Sequence, residues 1–198
     1  MSLMDQLTNA VVGQMTQQAA QKTGLDEGLA AKMMPMAMAA LMGGLKKNAS
    51  QPQGAEALAK ALDRHDGSLL NNISQVASND TLADGQKILG HILGGKQAQT
   101  QQALAKTAGV DQDQVGKLLA MAAPMVLASL GKAKREQGLD PSALAGLIST
   151  ESANAQKAAP SELGGLMSFL DADGDGDFKD DILEGAGKKL LGSLFGRK

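Results

Sequence analysis

"GVDQDQVGKLLAMAAPMVLASL" (residues 109–130) has a near copy earlier in the chain. Laid over "GLDEGLAAKMMPMAMAALMGGL" (24–45) it matches without a gap at an offset of 85, placing Gly24 on Gly109, Asp26 on Asp111, Lys32 on Lys117 and Leu45 on Leu130. In each copy a Gly suited to ending a helix is followed by an Asp suited to capping the next. The residues beyond are apolar on most faces, as in a helix buried all round. With a one-residue shift, Leu58, Ala61 and Leu62 fall on Leu144, Leu147 and Ile148. Each copy therefore reads as a long apolar helix followed by a short one. Such a half cannot bury its apolar face alone, so the pattern predicts two related helical halves packed around one core.

The composition agrees with an all-α chain. Ala, Leu, Met, Gln and Gly dominate the 198 residues, with three Phe and no Trp, Tyr or Cys. Most of these are strong helix formers, and the β-branched and aromatic residues that suit sheets are scarce. An apolar content of 43% is that of a folded protein. The absence of Cys rules out disulfides, thiolate metal sites and a Cys nucleophile. A net charge of −2 argues against a nucleic-acid binder, which carries a basic excess. No continuous apolar run approaches the ~18 residues of a membrane span. The first residues lack the basic start and apolar core of a secretory signal, so a cytoplasmic protein is expected.

Outward from the two copies, Leu3, Leu7, Val11, Met15 and Ala19 recur every four residues, predicting a first amphipathic helix ended by Gly24. The second helix should run to about Leu45, with Pro35 kinking it or marking its true start. A short helix over 55–62 and a turn at "HDGS" (65–68) follow. "SNDTLADG" (78–85) has the Ser, Asn, Asp and Gly of a loop. Helices are expected over 86–93, stopped by Gly94, and over 96–108. Asp140-Pro141 is a helix start, with a capping residue before Pro at the first helical position. "STESANAQKAAPSE" (149–162) is polar and aperiodic, and reads as a linker. The division expected is a multihelical domain over 1–148, a linker over 149–162 and a tail over 163–198.

That tail carries the one motif with a definite chemistry, "FLDADGDGDFKDDI" (169–182). An EF-hand-type calcium loop presents oxygens from positions 1, 3, 5, 7 and 12, with Gly at 6 for the sharp turn. Here those places hold Asp171, Asp173, Asp175, Asp177, Ile182 and Gly176. The closing carboxylate is missing at Ile182, and Asp180 and Asp181 stand one or two residues early as substitutes. Carboxylates bunched this closely repel one another without a cation. The run predicts a C-terminal helix–loop–helix binding calcium through Asp171, Asp173, Asp175, Asp177, Asp180 and Asp181. Incomplete closure places it toward the weaker end of the ~10⁻⁹ to 10⁻³ M range of such loops. The bland alternative is a solvated acidic turn.

Other features read better as structure. Gly90, Gly95 and Lys96 meet half of a phosphate-loop pattern, but Gln97 replaces the hydroxyl residue and the glycines close a helix. His65 and His91, with Asp66 or Asp84, are the only candidates for a small-molecule or acid/base site. Neither has a second His at ligand spacing. Met33, Met34, Met36, Met38 and Met42 read as core rather than as an adaptable groove. The segment 181–195 has leucines beside basic residues, but its glycines weaken it as an isolated membrane-surface helix.

Four stretches together resemble the bacterial YidB-like family of proteins of unknown function: "ALDRHDGSLL" (61–70), "DGQKILGHILGGK" (84–96), "VGKLLAMAAPMVLASLG" (115–131) and "LDADGDGDFKDDI" (170–182). Ala120 departs from the Pro expected in the second long helix, where the first copy keeps Pro35. The resemblance implies a multihelical fold and no established activity. The expectation is thus a non-enzymatic, calcium-binding interaction or structural protein, with an unknown protein partner or a second copy of itself.

Overall fold

A computed structural model describes residues 3–159, with side chains from Gly13 onward. Among the described residues there are seven α-helices and no strand. The helices are α1 (Leu3–Thr23), α2 (Glu27–Ala49), α3 (Pro52–Ala61), α4 (Asn79–Leu93), α5 (Gln97–Ala108), α6 (Gln112–Gln137) and α7 (Pro141–Ala158). Three 3-10 turns, Leu62–Arg64, Ser68–Asn71 and Ile73–Ala77, join α3 to α4, and a fourth over Gly94–Lys96 precedes α5. The tail, with its acidic run and last segment, lies outside the described residues.

Local chemistry sets the helix ends. Gly24 takes a left-handed φ of 73° after α1, which costs a residue without Cβ little. Asp26 then caps α2, its carboxylate accepting from Gly28 N at 2.9 Å and Leu29 N at 3.3 Å. Gly109 (φ 69°) and Asp111 do the same before α6. There Asp111 N donates to Gln114 Oε1 at 3.2 Å, while Gln114 Nε2 reaches Thr23 O at 3.2 Å. That one glutamine ties the start of α6 to the end of α1. Asp140 caps α7 by accepting from Ala143 N at 2.8 Å, with Pro141 opening the helix.

The core is built on α2 and α6. From Val115 to Gly131 every residue of α6 except Lys117 is buried. Helices α1, α2, α4 and α5 and the three 3-10 turns between α3 and α4 pack around it, while α2 is covered by α1, α3, α4 and α7 as well. Most of the largest fully buried side chains belong to this pair, among them Met33, Met34, Leu41, Met42, Leu118, Leu119, Met121 and Met125. Each such side chain contributes about 1.5–3 kcal/mol by leaving water. All five methionines of the α2 cluster are buried, so they are core.

Several boundaries differ from expectation. "SNDTLADG" is the first two turns of α4, not a loop: Ser78 is the cap, its hydroxyl accepting from Thr81 N at 3.2 Å. Polar residues at a helix start satisfy the free N–H groups and the dipole, and so imitate a loop. The segment read as a linker is helical as far as Ala158 and buries Glu151, Ser152 and Ala155. Helix α2 begins eight residues before Pro35 and continues to Ala49, so Pro35 does not mark its start.

Candidate functional site

The 3-10 segment after α3 wraps the C-terminal half of α6. Gly67, at φ 86°, brings the chain onto Lys132 and the carbonyl of Ala128, and Asp66 Oδ1 accepts from Ser68 N at 2.9 Å to hold that turn. The carbonyl of His65 meets Gly131 of α6 too closely for any Cβ. Lys134 Nζ donates to Ala59 O and to Asp63 Oδ1, both at 2.6 Å, and Arg135 stands 4.0 Å from Asp66. The string "ALDRHDGSLL" is therefore a clamp around α6.

The second string, "DGQKILGHILGGK", serves α4 in the same way. Pro124 has no N–H, so the carbonyl of Ala120, one helical turn earlier, lacks its intrahelical donor. Gly85 of α4 lies directly against that oxygen, within the ~3.5 Å at which a Cα–H acts as a weak donor. Pro35 frees the carbonyl of Ala31 likewise, but Ala31 is exposed and water can serve it. At the other end of α4, Gly44 of α2 lets the helices close on Ile92, and Asn48 Nδ2 donates to His91 O and Ile92 O, both at 3.1 Å. These bonds occupy last-turn carbonyls of α4 that lack helical partners. Gly94 caps the helix and forms a 3-10 turn with Gly95 and Lys96, so the partial phosphate-loop pattern is a helix stop.

The structure does not gather the histidine candidates. His65 is half-buried; burial lowers its pKa below 6.5, opposed by the Asp84 carboxylate and assisted by the Arg64 charge. Asp66 is instead engaged by Arg135 and the Ser68 amide. His91 is exposed and stands two turns along α4 from Asp84, about 10 Å along the axis. Among the described residues no three His, Asp or Glu side chains form a group able to hold a metal ion. Asp171, Asp173, Asp175, Asp177, Asp180 and Asp181 lie outside the described residues.

Among the described residues two helices, α2 and α6, are long and apolar enough to cross a bilayer by length and composition, although neither holds an unbroken apolar run of ~18 residues. In this fold most of both windows is buried inside the protein. Charge-free stretches run only from Met33 to Leu45 and from Leu118 to Gly131. Each is roughly 20 Å of helix against a hydrocarbon core of about 30 Å, a proportion that suits a buried core helix.

A family described as "Bacterial protein of unknown function (DUF937)" matches residues 5–133. The chain belongs to this family. No curated protein and no solved structure matches it. The part matched to DUF937 spans both strings and α6 as far as residue 133, just short of Lys134 and Arg135. It stops short of α7, although α7 packs on α1, α2 and α3.

Proposed function

We propose that this DUF937 protein is a non-enzymatic, calcium-binding interaction or structural protein of the cytoplasm. In this reading the helical body is a rigid scaffold, built from two related halves, and the acidic run after it is the ion site. The observation that carries the reading is the spacing of Asp171, Asp173, Asp175 and Gly176, which sets three carboxylates and a turn glycine where a calcium loop needs them. Calcium would neutralise these carboxylates, with Asp177, Asp180 and Asp181 completing the set. Filling the loop would order the tail and bring Phe178 and the last segment against the body or a partner. Two matches support the related halves: Gly24 and Gly109 share a left-handed conformation, and Asp26 and Asp111 both stand at the N-cap.

Calorimetric titration of the full chain with calcium and with magnesium tests the ion site. Saturable calcium heat, lost in an Asp171→Ala, Asp175→Ala double variant, is the expected result. No heat in the unaltered protein would reduce the run to an acidic turn. Limited proteolysis of the tail, slowed by calcium, tests the ordering step separately.

A further inference from the structure

We infer that the second half of α7, residues 149–158, is a strap that seats on the helical body and releases as one unit while the first half stays docked. The two halves of this helix are anchored by different chemistry. The first half buries Leu144 and Ile148, at 1% and 0% exposure, beneath the cap made by Asp140 and Pro141. The second half buries Glu151, Ser152 and Ala155, at 3%, 1% and 1%. Only one of those three is apolar, and it is the smallest apolar side chain with a Cβ. The Ser152 hydroxyl is buried and makes no hydrogen bond, and an orphaned buried hydroxyl weakens the seat that holds it.

Release has two consequences. It uncovers the part of the body that now covers Glu151, Ser152 and Ala155. It also converts ten helical residues, about 15 Å long, into chain that can extend to about 35 Å, giving whatever follows residue 158 a longer reach from the body. The strap rests on the geometry of α7 alone and does not require ion binding by the acidic run.

Residue-resolved amide hydrogen exchange on the full chain tests it, with a Ser152→Ala variant as the second arm. Amides of residues 151–155 are expected to exchange at one common rate, at least about tenfold faster than those of Leu118–Leu130, the measure of global opening. Ser152→Ala replaces the orphaned hydroxyl by hydrogen, and should slow that common rate about fivefold while leaving Leu118–Leu130 unchanged. Exchange of 151–155 at the α6 rate overturns the inference. So does a rate that rises residue by residue toward Ala158, which is end fraying, or a Ser152→Ala variant that does not slow exchange.

Discussion

Gly85 of α4 rests against the carbonyl oxygen of Ala120, the oxygen that Pro124 leaves without a helical donor. The contact explains how a proline is tolerated in the middle of α6, buried almost all round from Val115 to Gly131. An unserved carbonyl there would be costly, because Ala120 is fully buried and no water reaches it. The only residue that lets a neighbouring backbone come so close is one without Cβ.

Gly85→Ala is therefore expected to destabilise the protein, although alanine is the better helix former by about 1 kcal/mol. The new methyl meets backbone rather than a yielding side chain, and overpacking of this kind costs about 1–3 kcal/mol or more. Gly90 lies on the same helix with open space where its Cβ would be. Gly90→Ala should stabilise by about 0.5–1 kcal/mol. Urea unfolding of the two variants gives midpoints that move in opposite directions. A downward shift in both would mean that glycine at either position serves something other than helix packing.

Lys134 joins α6 to the clamp through two bonds of unequal value. Its side chain is 18% exposed and reaches the carbonyl of Ala59, whereas its ion-pair partner Asp63 is 65% exposed. Lys134→Ala should cost about 1–2 kcal/mol, since it orphans a part-buried carbonyl. Asp63→Ala should cost well under about 1 kcal/mol, because solvent screens the pair. Equal losses in urea unfolding would show that the ion pair, not the carbonyl bond, fastens the clamp.

His65 makes stability depend on pH in a definite direction. Its folded pKa lies below the unfolded value of 6.5, chiefly because burial disfavours the charged ring. The unfolded chain therefore binds the proton more readily. The contribution is fully present above pH 6.5 and is lost as pH falls from there through the lower folded value. Thermal melts across pH 5–8 should show a fall in stability on the acid side that is reduced in His65→Gln. An unchanged slope in the variant would assign the dependence to other groups.

Two of the strings that carry the family resemblance, 61–70 and 84–96, each owe a glycine to packing. In "HDGS", Gly67 takes a left-handed turn onto α6 and Asp66 holds it; in "ADGQ", Gly85 meets Ala120. Read along the chain, both look like Asp-Gly turns, and only the first is one. Periodicity located α1, and apolarity on most faces located α2 and α6, which are buried nearly all round. It lost the start of α4 and the second half of α7, where polar residues occupy capping or buried positions. Asp66 and Asp84 are equal candidates beside His65 in the sequence, and only tertiary placement chooses between them: the Asp84 charge acts on the ring, while Asp66 is engaged by Arg135.

The sequence by itself determined that the chain is helical, where most helices stop, and that the methionines of α2 are core. These follow from composition, from caps and from the 3.6-residue period, all of which act over a few neighbouring residues. Tertiary structure alone decided that α6 is the central helix, that Gly85 serves the carbonyl freed by Pro124, and that α7 continues to Ala158 on a polar face. Those outcomes rest on contacts between residues distant in sequence, where backbone meets backbone and a side chain's value depends on what covers it.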